Sequence, residues 1–342
     1  MATRGWLIAL LLLGLVAPRL GRANVTGVCA NCHVMHASLQ STLTPGAGPQ
    51  SYLMKDTCLG CHTEWGGGSG APYVYGAATD LAGGDFDNAS GANPSSGHNP
   101  LGIGAAAVLT PPGWKVSIDF NDNGQVGGDT AGPSWTSQLT CDGVWGCHGQ
   151  HTSSGIAGAH HNHPTSAAGV EAAATEVGNS YRFLYRIKGY EDADYEAETA
   201  TNHNVYYGVG RASDTPTDNQ TVSYLCAECH GLFHSGAGSE GVADSSFASP
   251  WIRHPVDISM SASGEYSGYT YQVAAPVAST TLTEGQHSTS STSVSGVNNR
   301  IVTCLSCHRA HASPYYAGLR WDYRGSGGTW TNGCSYCHSA KN

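Results

Sequence analysis

The chain opens on one long apolar run and never repeats it. Residues 6–17 read WLIALLLLGLVA, with Arg4 before them and Gly21-Arg22-Ala23 after them. A charged start, an apolar stretch of this length and a small-x-small site make an export signal, with cleavage expected after Ala23. The run is short for a bilayer span, which takes about 20 residues, and no later segment is apolar enough. The mature chain is therefore expected to lack a transmembrane segment. Cys29, the first cysteine, lies well past the cleavage point, which argues against lipid attachment. Beyond residue 23, neither the 3.6-residue period of a helix nor the alternation of a strand is sustained. Residues 64–114 are rich in Gly, Ala, Ser, Asn and Pro, and residues 278–296 in Ser and Thr, which is loop chemistry. Short helices are predicted at the cysteine motifs and near residues 167–188, and residues 266–273 predict a hairpin strand. The expected fold class is mostly irregular coil with short α-helices and little β.

Composition sharpens this picture. Glycine supplies 46 of 342 residues and phenylalanine only 5. A chain this long with so few large apolar side chains needs some other source of core volume. Removing residues 1–23 takes three of the 15 basic residues and no acid, leaving 12 basic against 25 acidic side chains and a formal charge of −13. Such a surface repels nucleic acid and favours soluble or cationic partners, metal ions or mineral surfaces.

The 12 cysteines fall into six pairs with none left over: Cys29/Cys32, Cys58/Cys61, Cys141/Cys147, Cys226/Cys229, Cys304/Cys307 and Cys334/Cys337. The second cysteine of every pair is followed by histidine, giving His33, His62, His148, His230, His308 and His338. C-x-x-C-H is the attachment signature of c-type haem. Two thiols at this spacing reach the two vinyl groups on one porphyrin edge, and the next residue brings its imidazole over the ring face to bind iron. Zinc knuckles and redox dithiols also use C-x-x-C. Neither explains a histidine after every second cysteine, and an exported chain does not keep thiols reduced. The third pair departs from the pattern, with five residues between Cys141 and Cys147. A looped-out spacer, made cheap by Gly143 and Gly146, would preserve the site; a Cys141–Cys147 disulfide is the alternative. Six haems are expected, and at least five.

Each iron needs a second axial ligand. Eleven further histidines remain, against three methionines in the mature chain (Met35, Met54 and Met260), so bis-His ligation is expected. It lowers the potential relative to His/Met. The favoured distal candidates are His36, His98, His161, His203, His234, His254 and His311. His36 and His311 follow their motif histidines by three residues and cannot reach the far face of their own haem. They are assigned to the neighbouring sites, His36 to Cys58/Cys61 and His311 to Cys334/Cys337. His287, in the Ser/Thr-rich stretch, is expected to be solvated.

Two features organise the rest. Cys29 and Cys304 both begin C-x-x-C-H-x-x-H-A-S, so one two-haem module is read at each end. The chain then divides into a signal peptide (1–23), an N-terminal two-haem module and loop (24–115), a central region with two isolated sites (116–300) and a C-terminal two-haem module (301–342). Asp119, Asn121, Asn123, Gln125 and Asp129 form the start of an EF-hand-like calcium loop, with Gly124 at its turn position but Thr130 where the closing carboxylate belongs. An Asx-rich turn reads equally well, so calcium joins haem c as a candidate cofactor.

The paired motifs, together with CLSCHRAHASPYY (304–316), SPWIRHPVDI (249–258) and SYRFLYRIKGYED (180–192), resemble the doubled-CXXCH multihaem cytochromes of metal-respiring bacteria. The resemblance implies a fold organised around a wire of bis-His haems, placed in the periplasm or at the outer surface. It also implies electron export to extracellular acceptors or other redox proteins, and in some relatives self-association into filaments. The expected function is electron conduction and not catalysis. Two alternatives are a multihaem reductase of a small oxyanion such as nitrite, which needs an open iron, and a mainly structural filament subunit.

Overall fold

The computed structural model describes residues 58–63, 73–76, 83–89, 94–114, 135–151, 183–190, 203–210, 218–233, 254, 256–282, 300–323 and 333–340. Among them regular structure is sparse, and three short α-helices coincide with cysteine motifs: α1 (Cys58–Cys61), α2 (Val222–Cys229) and α3 (Cys334–Cys337). Only α2 exceeds one turn. Thr221 caps it, its hydroxyl accepting from the Tyr224 N–H at 3.1 Å. The Cys141 and Cys304 motifs hold 3₁₀ turns at Gly143–Trp145 and Cys304–Ser306. The chain is mostly coil, as its patterning predicts.

Five strands of two or three residues make a single sheet: β1 (Gly189–Tyr190), β2 (Val205–Tyr207), β3 (Ile258–Ser259), β4 (Ala278–Ser279) and β5 (Ile301–Val302). Their order is β1-β2-β4-β5-β3. All pairings are antiparallel except β2 with β4. Ile187, Tyr206, Val222, Ala278 and Ile301 form the core beneath it, joined by Cys226 and Leu305 from two motifs. The sheet therefore crosses the boundary at residue 300, β5 pairing with β3 and β4 from the central region.

Three expectations need correction. Residues 266–273 form no strand. Gly264, at φ +68, opens a 3₁₀ turn through Tyr266, and the Tyr269 N–H donates back to the Tyr266 carbonyl. The tyrosines that suggested alternation are buried individually: Tyr269 and Tyr271 pack with Met260, Val277 and Val302, and the Tyr269 hydroxyl donates to the Ala275 carbonyl. Residues 183–188, the described end of the stretch expected to be helical, are irregular and lead into β1. Ala278 and Ser279, read as loop, are fully buried in the sheet. Among the described residues no helix is long and apolar enough to cross a membrane.

Candidate haem-binding sites

The five described motifs share one backbone signature. The motif histidine N–H donates to the carbonyl of the first cysteine: His62 to Cys58 at 2.9 Å, His230 to Cys226 at 2.9 Å, His308 to Cys304 at 3.0 Å and His338 to Cys334 at 2.9 Å. The wide motif does the same, His148 donating to Cys141 at 3.0 Å. Its extra residues are set aside as a loop. Gly143, at φ +73, starts the 3₁₀ turn, the Gly146 N–H donates to Gly143, and the Trp145 carbonyl takes the Thr140 N–H. A Cβ on Gly146 would stand 2.4 Å from the Asp142 nitrogen, so glycine is required there. No bond joins Cys141 to Cys147 in the structure.

These thiols are not the reactive kind. Burial pushes Cys147 up to about 11, Cys307 to about 12 and Cys337 to about 11, and holds Cys229 well above its ordinary value. A shared hydrogen bond, followed by burial, raises Cys58 against Cys141 and Cys226 against Cys304. Redox dithiols and metal thiolates need the opposite shift, which among these thiols is seen at Cys141, lowered by its hydrogen bond with Cys58. Among the described residues no three His, Cys, Asp or Glu side chains converge as a metal group; what converges is pairs of histidines.

Three such pairs recur at one separation. The rings of His98 and His230 have centroids 6.1 Å apart, those of His148 and His311 6.2 Å, and those of His254 and His338 6.2 Å. Stacked rings would be closer. Two imidazoles bound on opposite faces of one metal, each at about 2.0–2.1 Å from nitrogen and with about 1.1 Å from nitrogen to ring centre, have centroids roughly 6.3 Å apart. Each pair joins a motif histidine to one from a remote segment, which is the pairing that bis-His iron requires.

Backbone groups also fix which ring nitrogen is available. His230 Nδ1 lies 2.7 Å from the Pro112 carbonyl, His308 Nδ1 2.9 Å from Ala317, His98 Nδ1 2.6 Å from Ala310 and His311 Nδ1 3.2 Å from Gly84. A carbonyl only accepts, so each Nδ1 carries the proton and Nε2 keeps its lone pair. Burial lowers His230 and His311 to about 4 and moves His98 the same way, keeping all three neutral. His98 is nonetheless exposed. His338 differs, its Nδ1 lying 3.0 Å from a Glu265 carboxylate oxygen.

Of the distal candidates, His98, His254 and His311 stand beside motif histidines. His311 stands beside His148, and the histidine beside His338, at the Cys334/Cys337 motif to which the sequence assigns His311, is His254. The reason is the pairing of residues 311–313 with residues 83–84 and 96–97, which carries His311 away from the last motif. His203 is buried, stacked on Tyr271 at 4.2 Å, with Nδ1 2.9 Å from the Asn204 carbonyl and 3.0 Å from the Tyr271 hydroxyl. Cys29, Cys32, His33, His36, His161, His234, His287 and the candidate calcium residues lie outside the described residues.

Sequence reasoning passed over His151. It is 4 % exposed, with Nδ1 3.2 Å from Glu228 Oε2, the glutamate between Cys226 and Cys229. It follows His148 by three residues, the same offset that singled out His36 and His311, so the signal was present.

The motifs also follow one another in space. The Cys58 thiol meets Cys141, Cys226 and Cys229 feel Cys147, Cys226 meets Cys304, and Cys307 feels Cys334 and Cys337.

No protein-family model matches the chain, and no curated protein is similar to it. Two solved structures are similar. An outer membrane cytochrome S filament from Geobacter sulfurreducens is 18 % identical with a TM-score of 0.43, over 89 % of this chain and 85 % of that one. A structure of OmcS nanowires from Geobacter sulfurreducens is 20 % identical with a TM-score of 0.47, over the same shares. Likeness of this size decides nothing about function, which rests on the geometry of the motifs.

Proposed function

We propose that this chain is an exported hexahaem c-type cytochrome that conducts electrons through low-potential bis-His irons, in electron export to redox partners or extracellular acceptors. The observation that carries the reading is the recurrence of motif-to-remote histidine pairs at 6.1–6.2 Å. Haem, when bound, supplies a one-electron couple at each site. The six cysteine pairs anchor it and His33, His62, His148, His230, His308 and His338 bind from one face. His98 completes the Cys226/Cys229 site, His311 the Cys141/Cys147 site and His254 the Cys334/Cys337 site.

The chain's own part is placement. Carbonyls of Pro112, Ala317, Ala310 and Gly84 hold four imidazoles in one tautomer and keep them from turning. The buried thiol contacts set each motif against the next in chain order, which supports a continuous path from the Cys58 site to the Cys334 site. An oxyanion reductase needs an iron with one face open; the second histidine beside three of the five described motif histidines supports the conducting reading instead.

Intact mass and a pyridine haemochrome assay on the mature protein should count six haems, with all irons low-spin and the reduced protein inert to carbon monoxide. A haem-free chain, or stoichiometric carbon monoxide binding at one iron, would overturn the reading.

A further inference from the structure

Three of the imidazoles described above depend on one short run of backbone. His308 begins it, its N–H donating to Cys304 within its own motif. Three residues later His311 has left that motif: its N–H donates to the Gly83 carbonyl at 2.7 Å and its ring stands beside His148. Between the two, the Ala310 carbonyl accepts His98 Nδ1–H at 2.6 Å. The His311 carbonyl accepts the His98 backbone N–H at 2.9 Å, and His98 faces His230. Residues 308–311 thus supply or hold ligands aimed at the Cys304, Cys141 and Cys226 motifs.

The next residue locks the run. Ala312 is 0 % exposed and packs with Phe86, Ala89 and Ile103. It bridges to Gly97, and the Ser313 N–H continues the pairing to the Ser96 carbonyl at 3.1 Å. A Cβ on Gly97 would stand 2.4 Å from the His311 carbonyl oxygen and 2.5 Å from the Ala312 Cβ. On the other flank Gly84, at φ +85, would put a Cβ 1.9 Å from the Ala312 carbonyl oxygen. None of these neighbours is the free end of a flexible side chain. A side chain on either flank must push residues 310–312 away, and His98 and His311 with them.

We propose that residues 310–312, clamped between Gly84 and Gly97, are a single positioning element shared by two haem sites, so that ligation at Cys141/Cys147 and at Cys226/Cys229 is gained or lost together. The proposal rests on the haem reading. Its physical basis is that ordering one segment seats two ligands, so the second costs little further conformational entropy.

The test is Gly97→Val in the full haem-loaded protein. The haem count by intact mass should match the wild type. Two irons per chain should turn high-spin and bind carbon monoxide when reduced, and added imidazole should restore both. They are identified as the two signals lost in variants lacking Cys141/Cys147 or Cys226/Cys229. A change at one iron only, at none, or only at Cys304/Cys307 would overturn the proposal. Should the variant fail to accumulate, wild-type hydrogen exchange carries the test. The amides of His98 and His311 should open as one unit across denaturant concentration, and separate opening energies would sink the idea. A wild-type chain without haem would show instead that the functional reading is wrong.

Discussion

The Cys141 and Cys304 motifs reach the same geometry from different sequences. In both, the first-cysteine carbonyl accepts two N–H groups, from the second cysteine at 3.2 Å and from the histidine at 3.0 Å. Yet one spacer has two residues and the other five. What the site needs is the closed end of the turn; the number of residues inside it is free, provided that glycine lines the closure. The extra residues are occupied elsewhere. Trp145 packs edge-on against Trp135 at 5.1 Å, and Trp135 against Trp114 at 5.4 Å. Trp114 closes the turn that presents the Pro112 carbonyl to His230, so the insertion ties the third site to the fourth. The two motifs also differ in support: the Ala317 carbonyl fixes His308 from nine residues away in its own segment, whereas His148 is answered across the fold by His311.

The comparison breaks most completely if the wide motif holds no haem. Replacing both Cys141 and Cys147 with alanine should lower the haem count by one, read from intact mass. An unchanged count would mean that equal backbone geometry does not imply equal chemistry.

Next in size is the ligand itself. His311→Ala should leave the Cys304/Cys307 iron low-spin and turn the Cys141/Cys147 iron high-spin, seen by electron paramagnetic resonance. A high-spin signal from Cys334/Cys337 would restore the neighbour assignment read from the sequence.

That assignment marks where the sequence stops being legible. The attachment residues, the motif histidines and the coil-rich fold follow from local pattern, because a thioether site needs only residues adjacent in the chain. Distal ligands do not. His98 and His230 meet because residues 310–312 pair with 97–98 and because Pro112 reaches a helix end far along the chain. Neither pairing leaves a periodic trace. His254 could be singled out by its proline neighbour but not matched to His338. The tyrosines of residues 266–273 misled for the converse reason: strand-forming residue types are buried here in an apolar cluster on irregular backbone.

A smaller effect separates buried from supported imidazoles by pH. Burial lowers His230 and His311 to about 4 in the folded chain, against about 6.5 when unfolded. Between those values the unfolded chain binds more protons, so stability falls as pH drops from about 6.5 to about 4 and is unaffected by these groups above that window. Low-spin spectra of the Cys141/Cys147 and Cys226/Cys229 sites should persist well below pH 6.5, since ligation would occupy the Nε2 lone pair that a proton needs. Release of either ligand near pH 6.5 would show that burial does not protect it.

The smallest prediction concerns how the Cys304 motif holds its histidine. Ala317 receives His308 Nδ1 with its carbonyl while sitting at φ 58 and ψ 24, in the left-handed region. For a residue with a Cβ that conformation costs about 1–2 kcal/mol, and strain of this kind persists where the surroundings enforce it. Glycine adopts it freely but frees the unfolded chain by about 0.4–1 kcal/mol. Ala317→Gly should therefore raise stability by about 0.5–1 kcal/mol, a thermal shift of about 1–3 °C. If the hydrogen bond to His308 is set by the two flanking backbone bonds, Arg309 N–H to Gly318 and Leu319 N–H to Tyr316, the Cys304/Cys307 spectrum should not change. A broadened or shifted low-spin signal would mean instead that the strained alanine itself aims the carbonyl. The two motifs would then differ in kind, one histidine held by local strain and the other by a partner across the fold.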